Sequence, residues 1–208
     1  MFLGVVGING KMGSGKDYLV KQLTVLANQC NAKVVKLQFK DGLLEVANFI
    51  HNLAGLPRPD WEHKTPEQRQ FLQSLGTDTC RAYLADIWIR IWQRNVEKTI
   101  LATFMNPAVL VVVPDMRFPN EMSVIEDNYT SSIVRVHCNE DVREMRLHVR
   151  DGAIDRTKML HISETALDDV TMHTFDNSYD GPEAMQEAAN WIWNDLHEKA
   201  YMFERNPL

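Results

Sequence analysis

Eight residues near the start of the chain have the types and spacing to hold a polyphosphate: Gly10-Lys11-Met12-Gly13-Ser14-Gly15-Lys16-Asp17. Glycines allow the backbone to turn back on itself, so that successive N–H groups converge on one anion. Lys16 brings a mobile positive charge to the outer phosphates, and a helix starting just behind the loop adds the positive end of its dipole. The stretch has the Gly-x4-Gly-Lys spacing of a P-loop. With ordinary glycine usage, that spacing followed by Ser, Thr or Asp arises by chance in about one chain in a hundred of this length. The bland alternative is a Gly-rich turn with no ligand. Gly10, Lys11, Gly13, Ser14, Gly15, Lys16 and Asp17 are the candidate ATP-binding residues. The last position commonly offers a hydroxyl to Mg2+. Here Asp17 offers a carboxylate, also a hard oxygen ligand, whose charge the metal and Lys16 or Lys11 must offset.

A second group lies at Pro114-Asp115-Met116-Arg117-Phe118-Pro119-Asn120-Glu121. The apolar run Ala108–Val113 ends in Asp115, which is how a Walker B strand sets a carboxylate near Mg2+. Asp17 and Asp115 are therefore the candidate metal ligands, directly or through water. Arg117, just beyond the strand end, can grip a phosphate with two parallel N–H bonds. The alternative for Arg117 and Glu121 is a solvated surface pair. A third group, Arg143, Arg146 and Arg150, shares one helical face by its spacing of three and four. It predicts either an Arg-rich lid that closes over phosphates or a solvated face paired with Glu144 and Asp151. His161 with Asp168 or Asp169 has no companion at metal spacing.

Positioning these groups requires alternating strands and helices. Apolar runs predict strands at 2–8, 32–37, 108–113, 132–137 and 172–175. Helical periodicity predicts helices at 17–28, 42–50, 79–104 and from Gly181 onward. Leu84, Ile87, Trp88, Ile91, Trp92, Val96 and Ile100 form the buried stripe of the long third helix. A further helix begins at a Thr65–Gln68 capping box with Pro66 at its first position. It ends at Gly76-Thr77-Asp78. The expected fold is α/β: a five-stranded parallel sheet flanked by helices, of P-loop NTPase type, with a helical insertion and the lid. In a single domain spanning 1–208, 1–40 is core with the loop, 41–105 the helical insertion, 106–138 core, 139–160 the lid and 161–208 core.

The 208 residues are 45% hydrophobic and 24% charged, with a formal net charge of −6. The acidic balance argues against a nucleic-acid polymer as partner. It leaves room for a nucleotide, whose positive site can be local. Cys30, Cys80 and Cys138 fall at no metal spacing and read as reduced thiols of a cytosolic protein. The start has neither a signal-peptide pattern nor, with the rest of the chain, a run long enough to span a membrane.

The combination of G-K-M-G-S-G-K-D from Gly10, R-x-x-x-Q-x-x-G-T-D from Arg69, V-V-P-D-M-R-F-P-N-E from Val112 and H-I-S-E-T-A-L-D from His161 resembles the bacteriophage deoxynucleoside monophosphate kinases. The motifs occur in that family's order over most of the chain, although the segment between Leu56 and Lys64 carries none of them. The resemblance implies an adenylate-kinase-like core that transfers the γ-phosphate of ATP, with Mg2+, to a deoxynucleoside monophosphate. It implies acceptor residues at Arg69, Gln73, Gly76, Thr77, Trp88, Asp115, Arg117 and Glu121. In that mechanism Lys16, Arg69, Asp115, Arg117, Arg146 and Arg150 serve catalysis. The setting implied is the cytoplasm of an infected host cell, as a monomer or homodimer. Two other readings stay open: a phosphomevalonate kinase-like enzyme, which shares the Gly-Lys-x-x-Ser-Gly-Lys-Asp loop and an Asp-x-Arg loop, and an ATP-binding interaction protein.

Overall fold

A computed structural model describes residues 2–102, 108–151, 165–179 and 181–205. In chain order its elements are β1 (Phe2–Asn9), α1 (Lys16–Gln29), β2 (Ala32–Lys36), α2 (Phe39–Leu53), α3 (Pro66–Gln73), a π-helical segment (Ser74–Arg81), α4 (Ile87–Ala102), β3 (Ala108–Val113), α5 (Pro119–Asn128), β4 (Ser131–His137), α6 (Glu140–Asp151), β5 (His173–Asp176) and α7 (Glu183–Arg205). The chain divides into two compact units, one formed by Met1–Lys36 with Ile100–Leu208 and the other by Leu37–Thr99.

The first unit is built on a five-stranded sheet in the order β2-β3-β1-β4-β5. Every pairing is parallel. A parallel sheet has its crossover helices on its faces, so its central strands are buried on both sides and read as continuous apolar runs. That is why β1 and β3 stand out in the sequence. Val6, Ile8, Leu110, Val112, Val134 and Val136 pack with Leu19 and Leu23 of α1 and with Met185, Ala189, Ile192 and Leu196 of α7. Each fully buried aliphatic side chain of this kind contributes about 1.5–3 kcal/mol. The β1–β4 register sets Asn9 against Arg135, and the β1–β3 register sets Gly7 against Val113. The carboxyl ends of three strands thus finish near one level, where open α/β sheets place their ligands.

The second unit is helical. In α2, Asp41 Oδ2 accepts the Gln38 N–H at 2.7 Å. At the start of α3, Gln68 N–H donates to Thr65 Oγ1 at 3.3 Å and Thr65 N–H to Gln68 Oε1 at 2.9 Å, the reciprocal box expected from the sequence. Trp92 is buried against Phe39, with ring centroids 4.8 Å apart, and its indole N–H donates to the Leu37 carbonyl at 3.1 Å.

Three helices differ from expectation in their bounds. Gly76-Thr77-Asp78 does not end a helix: α3 runs directly into the π-helical segment. A widened turn of this kind is uncommon and concentrates at functional sites. The single helix expected over 79–104 is interrupted at 84–86, where Ile87 N–H bonds the Leu84 carbonyl at 3.0 Å and Asp86 starts the next helix. An aspartate before a helix favours capping over continuation. The turn keeps Leu84, Ile87 and Trp88 in one apolar sequence pattern, which is why periodicity alone reads through it. Phe104, the expected helix end, lies outside the described residues. The second helix is also longer than expected, Phe39–Leu53 in place of 42–50. The last strand is His173–Asp176, one residue later than its pattern.

Candidate functional site

The loop between β1 and α1 is bent by glycines in conformations that side chains avoid. Gly15 has φ 102°, and a Cβ there would stand 2.1 Å from Asn177 Nδ2. Gly10 has φ 150°, and its Cβ would meet the Val136 carbonyl oxygen at 2.6 Å and Ser14 Oγ at 2.8 Å. Ser14 is 1% exposed, and its hydroxyl is buried with no hydrogen-bond partner. Such an orphan is costly unless a ligand or water completes it. It lines a cavity of about 320 Å³ with Gly10, Lys11, Asn9, Arg135 and Arg143. Lys16 Nζ donates to the Lys11 carbonyl at 2.9 Å and to the Gly10 carbonyl, so its ammonium is drawn into the loop's own curve. Asp17 is exposed, and its Oδ1 is 3.4 Å from Lys36 Nζ. Lys11 pairs with Asp168 at 3.0 Å. Lys36 thus stands beside Asp17 as a third cation near the loop, with Lys11 and Lys16.

The arginines of α6 are not equivalent. Arg143 is 6% exposed and donates to the Met12 carbonyl at 3.3 Å. It is an interior brace of the loop, not part of a solvated face. Arg146 is half-buried; its Nη1 lies 3.4 Å from Cys138 Sγ and 4.0 Å from the position of a Gly15 Cβ. Burial pushes the Cys138 thiol above its usual range, against the pull of Arg146 and Arg143. A neutral thiol leaves the Arg146 charge available to an anion. Arg150 is exposed, two turns from Arg143. Gly152 and the rest of the expected lid to 160, together with His161, Ser163 and Glu164, lie outside the described residues.

After β3, Asp115 and Arg117 are half-buried at the strand's carboxyl end, as expected. Glu121 is 3% exposed, and its Oε2 accepts the N–H groups of Arg117 at 2.8 Å and Phe118 at 3.2 Å. That burial excludes a solvated pair with Arg117: the carboxylate caps α5 and fixes the backbone that carries Arg117.

In the second unit, Arg69, Gln73 and Thr77 are exposed, while Gly76 is buried. Arg69 Nε donates to the Lys64 carbonyl at 3.3 Å. Trp88 is 4% exposed, and its indole N–H donates to the Gly76 carbonyl at 3.0 Å. The tryptophan therefore buttresses the Gly-Thr-Asp turn from the core side.

Three residues with a hold on the loop escape the sequence reading. Asn177, 4% exposed, donates from Nδ2 to the Ser14 carbonyl at 2.8 Å. Asn9 donates to the Met116 carbonyl at 3.2 Å and accepts from Arg135 Nε at 3.0 Å. Arg135 also donates to the Val170 and Leu167 carbonyls. A signal existed for Asn177 and Arg135: each lies on or just after a strand at its carboxyl end.

No family model matches the sequence. A protein of Acanthamoeba polyphaga mimivirus, named "Putative deoxynucleotide monophosphate kinase", is 29% identical over 140 residues, covering 59% of this chain and 68% of that protein. Among solved structures, TT1252 from Thermus thermophilus aligns with a TM-score of 0.57 at 17% identity, covering 93% of this chain and 97% of the other. A tunicamycin resistance protein from Deinococcus radiodurans gives 0.52 at 15% identity over 93% and 95%. A gluconokinase from Sinorhizobium meliloti 1021 gives 0.50 at 18% over 97% of both chains. At such identities the structures speak for the fold alone. The sheet, the loop and these neighbours are consistent with the P-loop NTPase fold. Among the described residues no helix is long and apolar enough to cross a membrane.

Proposed function

We propose that the protein transfers the γ-phosphate of ATP to deoxynucleoside monophosphates. The observation that carries this reading is the loop Gly10–Asp17 itself, with the buried, unpartnered Ser14 hydroxyl in its cavity and Arg146 beside Gly15. The name of the mimivirus relative supports the acceptor class.

The loop's N–H groups, Ser14 and Lys16 are assigned to the ATP phosphates, with Gly10, Lys11, Gly13 and Gly15 shaping the loop. Phosphoryl transfer asks for positioning and charge stabilisation more than covalent chemistry. Arg146 is assigned to the transferring group, with Arg150 as a second cation on the same helix. Arg117 and Arg69 are the proposed ligands of the acceptor phosphate. Gln73, Gly76 and Thr77 form the rest of the acceptor side, with Trp88 and Glu121 holding those backbones in place. An acceptor phosphate is already anionic near neutral pH, so no strong general base is needed.

Among the described residues no group of three or more His, Cys, Asp or Glu side chains could hold a metal. Mg2+ usually takes one or two carboxylates plus substrate phosphates and water. Asp17 and Asp115 are hard oxygen donors of the right kind and would hold it. When bound, the ion neutralises charge on the phosphates.

The test is a steady-state panel of the four deoxynucleoside monophosphates, their ribose counterparts and mevalonate 5-phosphate, each with Mg-ATP. The expected result is ADP release that depends on a deoxynucleoside monophosphate. Release with mevalonate 5-phosphate alone, or without any acceptor, would overturn the assignment.

A further inference from the structure

Strand β1 is apolar from Phe2 to Ile8, and Asn9, its last residue, is its only polar side chain. Asn9 stands immediately before Gly10, at the root of the phosphate loop. Its side chain is nevertheless engaged with other segments. The parallel β1–β4 register pairs Asn9 with Arg135, and Arg135 Nε donates to Asn9 Oδ1 at 3.0 Å. A guanidinium has no acceptor, so the amide oxygen must face it and the NH2 group is left to donate elsewhere. Asn9 Nδ2 donates to the Met116 carbonyl at 3.2 Å. Arg135 is itself held by the Leu167 carbonyl and, at 3.2 Å, by the Val170 carbonyl. The orientation of the amide is thus set by a side chain that is anchored on a third segment.

The Met116 carbonyl and the Arg117 N–H belong to one peptide unit. That unit is planar and rigid, so its soft motion is rotation about the two flanking bonds. Here its oxygen is held by Asn9 Nδ2, and its N–H by Glu121 Oε2 at 2.8 Å. Met116 and Glu121 are both buried. With the N–H alone held, the plane could still tilt about that one bond. With both ends held it cannot, and the direction in which the Arg117 side chain leaves the backbone is fixed.

We infer that Asn9 is a positioning residue for Arg117: from the root of the donor loop it fixes the backbone from which that guanidinium reaches the acceptor phosphate. The inference rests on the kinase reading above, which gives Arg117 that phosphate. A grip by two parallel N–H bonds is sensitive to the direction of approach. One amide then ties the loop that holds the donor to the peptide that carries the acceptor's ligand, and Arg135 keeps that amide turned the right way. Neither Asn9 nor Arg135 need touch a substrate for this.

The test uses the full-length protein, Mg-ATP and whichever deoxynucleoside monophosphate the wild type turns over best. Asn9→Ala should lower kcat/KM for that acceptor about tenfold, less than the roughly 100-fold that a full ångström of misplacement can cost. The Kd of ATP, read by calorimetry without acceptor, should change by less than about twofold, because the interaction lost is on the acceptor side. The decisive arm is a double-mutant cycle with Arg117→Ala. Residues that act through one another are not additive, so Asn9→Ala should lower kcat/KM by less than about twofold once Arg117 is gone. Asn9→Asp keeps an oxygen for Arg135 but, ionised, cannot donate to Met116. It should show the same non-additivity, and it carries the cycle if the alanine variant fails to fold. Additive losses in the cycle, or a Kd for ATP that rises in Asn9→Ala as much as the acceptor's KM, overturn the positioning role and leave the kinase reading intact. Absence of acceptor-dependent turnover in the wild type overturns the kinase reading, and the role of Arg117 with it.

Discussion

The two units hold their candidate residues by different means. Around the loop at Gly10–Asp17 the fastening bonds span long stretches of sequence: Asn177 to Ser14, Arg143 to Met12, Arg135 to Asn9 and Asn9 to Met116. Each ends on a backbone atom or an amide at the carboxyl end of the sheet, and Asn177 and Arg143 are buried. In the second unit the Trp92 to Leu37 bond is long-range, but those around the candidate residues and the loop before them are local: Trp61 to Asn48, Lys64 to Trp61, Arg69 to Lys64 and Trp88 to Gly76. A polyphosphate cradle needs fixed N–H groups, so preorganisation by distant elements serves it. A side that must admit an acceptor gains from a small helical unit that can adjust locally.

The largest expected effect is at Lys16. Lys16→Ala should lower kcat by about 100-fold or more, the scale of removing a preorganised charge from a transition state. A purified-enzyme assay that finds near-normal turnover would break the donor half of the comparison.

Next come the long-range fastenings. Gly15→Ala forces a left-handed conformation costing about 1–2 kcal/mol and drives a methyl into Asn177. Asn177→Ala leaves the Ser14 carbonyl without that donor, at about 1–3 kcal/mol. Measured by urea unfolding, the double variant should cost less than the sum of the singles, since the second change removes the clash. Strict additivity would show that the contact does not matter. Asn177→Ala should also raise the KM for ATP more than that for the acceptor.

Smaller in its effect on turnover is Trp88→Phe, which strips the donor from the Gly76 carbonyl and leaves a void where the larger ring stood. It should cost about 1–3 kcal/mol of stability and raise the acceptor KM with little change in that for ATP. An equal rise in both would erase the distinction between the units.

The smallest effect is at Asp60 and His63. Both are fully exposed, with Asp60 Oδ2 2.9 Å from His63 Nδ1. The hydrogen bond to His63, then those from the Glu62 and His63 backbones, hold the Asp60 carboxyl down to about 2 from 3.8. The same side-chain bond raises the His63 imidazole above 6.5. The Asp60 contribution is present above 3.8 and fades as pH falls toward 2. The His63 contribution is complete below 6.5 and fades as pH rises through its raised value. The turn should thus be best ordered between about pH 4 and 6.5. In an NMR titration His63 should have its midpoint above 6.5, returning to about 6.5 in Asp60→Ala.

The sheet strands and most helix starts could be read from the chain because each rests on a local signal: apolar runs for β1 and β3, the Thr65–Gln68 box for α3, the apolar spacing of Met185, Ala189, Ile192 and Leu196 for α7. The loop was legible because its glycines and lysine are contiguous. What periodicity cannot carry is partner choice between distant segments. Arg143 shares its helical face with Arg146 and Arg150 in spacing, yet it is buried on the loop while Arg150 is exposed. Asn177 reads as the end of a strand until the fold sets it against Ser14. The turn at 84–86 preserves the apolar stripe, so no break shows in the pattern, while Gly76 reads as a stop in a segment where the backbone widens into a π-helix and continues.

The central claim is that phosphate moves from ATP to a nucleotide monophosphate and not to water. Incubation with ATP labelled in the γ-phosphate, Mg2+ and the four deoxynucleoside monophosphates should place the label on a deoxynucleoside diphosphate, with little free phosphate formed. Label recovered only as inorganic phosphate, with or without those acceptors, would contradict the account.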